Sequence, residues 1–499
     1  MTDKSILKKL ASETAIYGIS TIVARSLNFL FVPLYTYTLS ASDYGVVTEF
    51  MSYIAILQVL LTMGLETGCF RFANKEGYQP EKVFSSALWS VGTLSAIFLI
   101  CMVIFAKPLS ISMGYPLHSL CYIYIGLILF SDSITSILFA KLRFETRAWK
   151  FATFKVVKIL TETLSNLFLF LVFPKIALSH PDNFLLNFIP ATPDFSYPIF
   201  SILISALVAF ALFVPQMLKL GFKVEKMVLS GLMKFSLPLM VAGLPGVMND
   251  FMDRVLFRFF NVDDSLWRSD LGIYQAAVKV AVIMSLFVQT FRFASEPFFF
   301  ARAKDKDVKL TYSKIMEYFV AFCMLIFLGV VLYIDVLQFI VGRDFRSGMS
   351  IVPIMLISYI LMGMLFNVSM WYKLSGKTNM AIWITLSGLV VTAIVIILFM
   401  PKYSYWAAAF GHLASYVVMF AISSILGARY YPIPYRWGRL AGIFLLMGAV
   451  YGLSLLVDRT FFADVVLGQS AASLVALKLG IHTALILVYM GAGWKLIRK

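Results

Sequence analysis

The chain has 499 residues, of which 60% are apolar and 14% charged, and its formal net charge is +16. A soluble domain carries about 25% charged residues, so a single water-soluble core is excluded. Stretches of roughly 20 apolar residues, the length that crosses a bilayer, recur from end to end, and the class is a polytopic membrane protein.

Apolar blocks between charged or Pro/Gly breaks predict about fourteen transmembrane helices: 13–39, 43–70, 83–106, 117–140, 148–173, 196–220, 230–260, 271–300, 311–334, 349–372, 378–400, 404–427, 438–457 and 471–494. The N-terminal MTDKSILKKLASETAIYGIS is basic and precedes an apolar run with no small-residue cleavage site, so it reads as a lead into a retained first helix. Trp89, Trp149, Trp371 and Trp494 fall near helix ends, where amphipathic rings suit the headgroup layer. The longest loop on the side away from the termini, about 174–195, is rich in proline and polar residues and predicts an irregular cap.

The basic residues divide by side. With this numbering, 29 of the 42 Lys and Arg lie on the side of both termini, seven on the other, and six inside spans. Positive residues stay in the cytosol, so both termini are expected there and the helix number to be even. This distribution makes the charge a topology signal and excludes nucleic acid as a partner. Cys69, Cys101, Cys121 and Cys323 are scattered, as are the four histidines, so no metal site or cofactor is expected. The cysteines read as small apolar fillers.

An internal repeat is visible. DYGVVTEF (Asp43, Gly45) matches DLGIYQAA (Asp270, Gly272) 227 residues later. An in-span arginine precedes each, Arg25 and Arg254, and an Arg-Phe-Ala triplet follows each, at 71–73 and 292–294. The expected fold is therefore all-α, with two pseudo-symmetric six-helix lobes, 1–220 and 221–430, and two additional transmembrane helices in 431–499. Transporters built from repeats place the substrate between the halves.

The stretch NFLFVPLYTYTLSASDYGVVTEF, followed by LLTMGLETGCFRFANKEG, resembles the opening of Wzx-type oligosaccharide flippases, of the superfamily that includes MATE exporters and lipid II flippases. KFSLPLMVAGLPGVMNDFMDRVLF resembles that family's second-half opening. The resemblance implies a V-shaped pair of lobes, alternating access, and a central cavity lined mainly by helices 1, 2, 7 and 8. It implies a lipid-linked oligosaccharide as substrate, membrane lipid and polysaccharide-assembly proteins as partners, and a bacterial cytoplasmic membrane as location.

Charges inside spans cost about 2.5–3.5 kcal/mol each on insertion scales, so each needs a reason. Arg25, Arg254, Arg258 and Lys279 are the expected substrate-binding cations, because guanidinium pairs two oxygens of a diphosphate at once. The competing reading is internal pairing, since Asp250, Arg254 and Arg258, and likewise Arg292 and Glu296, are spaced by four. Asp132 and Glu162 are candidates for coupling to H+ or Na+, or for pairing with Lys155 and Lys158. Glu49, Glu66 and Asp253 are candidate charge partners, and Lys478 is expected to snorkel to the interface. Pro238, Gly243, Pro245 and Gly246 make predicted helix 7 a candidate gating helix, or a static kink. No catalytic residue is expected. Flipping of an undecaprenyl-diphosphate-linked oligosaccharide is the leading function. Lipid II flipping, MATE-like ion-coupled export, and a membrane polysaccharide polymerase or ligase are the alternatives.

Overall fold

A computed structural model describes residues 27, 29–221, 224–260, 266–301, 307–462 and 472–498. Among them are thirteen helices long and apolar enough to cross a membrane, and no strand. Residues 29–38 form α1, the end of the first predicted span, whose residues 13–26 lie outside the described set. Next come α2 (Ala41–Ala73), α3 (Pro80–Ser112), α4 (Ser119–Phe144), α5 (Ala148–Ser179), α6 (Ser196–Leu220) and α7 (Lys226–Phe260). The chain continues through α8 (Trp267–Ala301), α9 (Val308–Leu332), α10 (Arg343–Leu374), α11 (Met380–Tyr403), α12 (Tyr405–Tyr430), α13 (Trp437–Phe461) and α14 (Ala472–Arg498). Each predicted span from the second onward has its helix.

The chain forms two compact units, Met1–Val255 and Leu256–Lys499, that divide inside α7. The sequence sets its lobe boundary earlier, at 220/221. The reason lies in how α7 begins. Its Val228, Leu232 and Ser236 recur every four residues and are buried, the first two in the first unit's core with Leu65, Cys69, Phe84, Phe139 and Phe213.

Glycine makes that approach close. Helix α2 breaks at Met63 and Gly64, whose φ angles of 51° and 66° lie in the left-handed region. A Cβ on Gly64 would stand 2.9 Å from the Ser236 carbonyl, and one on Gly68 would collide with the Ser236 hydroxyl. Gly64 and Gly68 are thus a small-xxx-small notch that lets two backbones meet without a hydrophobic drive between helices. Gly68→Val should therefore lower stability by about 1–2 kcal/mol through overpacking. Thermal unfolding in detergent measures it, and an unshifted transition would mean that the notch has slack.

Local chemistry sets the other boundaries. Ser40 caps α2, its hydroxyl accepting from the Asp43 amide at 3.0 Å. In α5, Pro174 lacks an N–H and crowds the carbonyl four residues back, and the preceding turn, Phe168–Val172, widens to a π-helix. The expected irregular cap follows. It is pinned by Tyr124 donating to the Phe188 carbonyl at 2.7 Å, Tyr197 donating to the Pro190 carbonyl at 2.8 Å, and His118 against Asp194 at 2.8 Å.

In the second unit, α10 packs between α8 and α12, and α11 pairs with α12. Helices α13 and α14 lie against α9. Glu317 of α9, 2% exposed, takes Arg439 at 3.2 Å and Arg436 at 3.8 Å. Ser313 donates to the Pro434 carbonyl at 2.8 Å, and Tyr489 of α14 donates to the Ala321 carbonyl at 3.0 Å. Three cysteines, Cys69, Cys121 and Cys323, are buried as fillers, while Cys101 of α3 is exposed. Trp371 departs from its expected interfacial place. It is fully buried, stacked on Tyr430 at 5.6 Å and donating to the Ser423 hydroxyl. Trp149 and Trp494 are exposed.

Candidate substrate site

The two copies of the repeat begin alike. Asp43 and Asp270 both stand in the first turn of their helices, and each takes a serine hydroxyl, from Ser40 at 2.6 Å and from Ser404. The two Arg-Phe-Ala arginines also behave alike. Arg71 lies 4.2 Å from the Phe235 ring centroid and Arg292 5.2 Å from that of Phe366.

In the first unit, Arg254 is 8% exposed although its guanidinium sits on a membrane helix. It donates to the Asp250 carbonyl and, at 3.2 Å, to the carboxylate of Asp253, which is 0% exposed. The Phe251 ring flanks it at 5.4 Å, and Tyr44 of α2 lies within electrostatic reach. Tyr44 packs 6.1 Å from Tyr35, whose hydroxyl donates to Asn166 of α5 at 2.8 Å, with Glu162 in electrostatic reach of the same ring. One turn along α2, Glu49 is 0% exposed and accepts from Tyr53 at 3.0 Å and Tyr115 at 2.7 Å. Helices α1, α2, α5 and α7, with Tyr115 from the connection between α3 and α4, thus supply a buried polar and aromatic set. Tyr35, Tyr44, Tyr115 and Asn166 belong to it, and sequence reasoning missed them because it searched spans for charge. Uncharged hydrogen-bonding side chains within and at the ends of spans were the available signal.

Arg25 lies outside the described residues. Asp132 of α4 pairs with Lys158 of α5 at 2.5 Å, the pairing alternative to ion coupling, while Lys155 stacks over Phe139 at 4.5 Å. Glu66 meets Arg143 at 3.5 Å with both side chains 40% exposed, well apart from the Arg254 set in α2. In the second unit, half-buried Arg258 lies 4.9 Å from the ring of Trp267, which Arg268 approaches at 5.3 Å. Lys279 is half-buried in α8, one turn beyond Gln275. Glu296 pairs with Arg292 at 3.7 Å and Lys373 at 2.5 Å, so its partners come from α8 and α10 together.

Helix α7 runs unbroken through Pro238 and Pro245. Pro238 and Gly243 are exposed, Pro245 and Gly246 half-buried, and a Cβ on Gly243 would meet nothing within 4 Å. The proline-rich middle therefore packs more loosely than the buried rows that begin and end the helix, with open space at Gly243 and Met240 against Gly64 of α2. Lys478 corrects its snorkelling expectation: it is 7% exposed and held between Asp335 and Asp458. No group of three or more metal-ligating side chains occurs among the described residues.

A family model described as "Polysaccharide biosynthesis protein" matches residues 10–301. No curated protein matches the sequence. Among solved structures, the lipid II flippase MurJ in an inward closed conformation aligns with a TM-score of 0.69 at 13% identity, over 96% of this chain and 99% of that one. An inward-facing multidrug resistance MATE family transporter of the MOP superfamily aligns at 0.58 and 12% identity, over 82% and 94%. The MATE multidrug transporter DinF-BH aligns at 0.59 and 16% identity, over 86% and 97%. At these identities the likeness establishes the fold alone, an all-helical membrane bundle shared with these structures.

Proposed function

We propose, since this chain belongs to the polysaccharide biosynthesis protein family, that it is a membrane flippase. It carries an undecaprenyl-diphosphate-linked oligosaccharide from the inner to the outer leaflet of the bacterial cytoplasmic membrane for surface polysaccharide assembly, with both termini cytosolic. The observation that carries the reading is the buried Arg254 set on membrane helices, since ionised groups in lipid are expensive and mark function. A guanidinium fits the diphosphate, and Arg25, Arg258 and Lys279 are the further cations assigned to it. An inside-negative potential assists outward movement by about 2.3 kcal/mol per charge per 100 mV of full field. No covalent step is required of the protein.

Deleting the gene should make lipid-linked oligosaccharide accumulate on the cytosolic leaflet, read by leaflet-selective enzymatic labelling of the sugar. Unchanged outward delivery in the deletion strain would reject the proposal. Accumulation of lipid II instead would establish the second reading, which the likeness to the lipid II flippase fold favours.

A further inference from the structure

A second ionic cluster, with Lys478 and His482 buried and Asp335 and Asp458 partly exposed, lies far along the chain from Arg254, where α13 and α14 meet the end of α9. Lys478 Nζ stands 2.6 Å from Asp335 Oδ2 and 3.7 Å from Asp458 Oδ1. One turn later, His482 is 2% exposed and has both ring nitrogens engaged. Nδ1 lies 2.7 Å from the Leu332 carbonyl oxygen, and Nε2 lies 3.0 Å from Asp458 Oδ1. Leu332 is the last residue of α9, so its carbonyl is one that the helix leaves without an internal partner. Tyr333 and Thr483 share a hydrogen bond of 2.6 Å beside it. A cavity of about 330 Å³, into which Asp335, Asp458, Lys478, Tyr451 and Ser454 face, reaches the cluster.

The hydrogen-bond inventory decides the protonation. A carbonyl oxygen only accepts, so Nδ1 must carry a hydrogen. An ionised carboxylate also only accepts, so Nε2 must carry one too, which a neutral imidazole cannot do. Either His482 is an imidazolium, or the carboxyl of Asp458 holds the proton and donates it to Nε2. In both forms the pair holds one proton more than a neutral ring and a carboxylate. Charge agrees: Asp335 and Lys478 cancel, and the extra proton brings the whole cluster to zero, whereas without it a net negative charge would stand beside the buried ring of His482. The C-terminal end of α9 also favours a cation.

We propose that Asp458 and His482 form a proton-binding site, reached through this cavity, that clamps α14 onto the end of α9. With the proton present, both contacts of the ring are hydrogen bonds. When it leaves, the one remaining ring hydrogen goes to the stronger acceptor, the Asp458 carboxylate, so the Nδ1–Leu332 contact becomes one between two acceptors and α14 loses a link to α9. The site lies wholly in the second unit and uses neither Asp132 nor Glu162. It binds its proton whatever substrate the protein carries.

The test uses the full-length protein in lipid nanodiscs with 15N-labelled histidine. At neutral pH the His482 signal should show two protonated ring nitrogens. Failing that, it should show one, together with an infrared band of a protonated carboxyl that Asp458→Asn removes. A bare ring nitrogen with no such band overturns the proposal. His118→Gln, His180→Gln and His412→Gln assign the signal by elimination, so the wild-type spectrum decides even where a cluster variant does not fold. In Asp458→Asn the amide can donate to Nε2, so the ring should become neutral with the fold intact. Amide exchange in α14, corrected for its intrinsic pH dependence, should quicken about tenfold in wild type as the proton is removed by raising pH, and stay flat in Asp458→Asn. The same pH dependence in both proteins would also overturn it.

Discussion

Arg254→Ala should destabilise the protein by about 3–5 kcal/mol, because it takes the guanidinium away from a fully buried carboxylate. Asp253 has no exposure, so water cannot replace the guanidinium. The measurement is thermal unfolding of the purified protein in detergent, paired with export in a deletion strain. The double variant Arg254→Ala/Asp253→Asn removes both charges and should recover stability to within about 1 kcal/mol, since neither group is left ionised and unpaired. Export should stay lost in the double variant, because a diphosphate still lacks its guanidinium. If export returns with stability, Arg254 serves only to neutralise Asp253, and the substrate contact must be sought at the other cations.

Glu317→Ala should have the next largest effect. It abandons two guanidinium groups, Arg436 and Arg439, that converge on a carboxylate 2% exposed. Both arginines retain some contact with solvent, so the cost is smaller, about 2–3 kcal/mol. The loss is local, because these pairs tie the start of α13 to α9. Limited proteolysis should then cut the connection around Pro432–Pro434 faster than in wild type, while the first unit stays protected. Cleavage at an unchanged rate would show that apolar packing alone docks α13.

Helix number and order were legible in the sequence, because in a bilayer every backbone polar group must be satisfied within its own segment and long apolar runs admit no other fold. The charged positions were legible too, but their partners were not. Arg254, Asp253 and Asp250 lie close along one helix, so pairing could be foreseen, and the structure realises it through Asp253 and the Asp250 carbonyl. Asp132 and Lys158 are on neighbouring helices, and their pairing was among the alternatives. Lys478 and Asp335 are 143 residues apart, and nothing local in either segment points to the other. The division of the units inside α7 was likewise hidden. It follows from the notch at Gly64 and Gly68, whose role depends on Ser236 arriving opposite it. Tyr35 and Asn166 escaped notice because neither is charged, though they join α1 to α5.

The placement of the four thiols has a practical use. Three are sealed inside helix packing, and Cys101 alone among them stands open on α3. A membrane-permeant thiol-reactive spin label added to the native chain should settle at that one position, on the apolar face that α3 turns to lipid with Ile97, Ile100 and Ile104, without prior removal of the rest. Measurements of distance and environment could then begin from the unmutated protein, with α3 as their fixed origin.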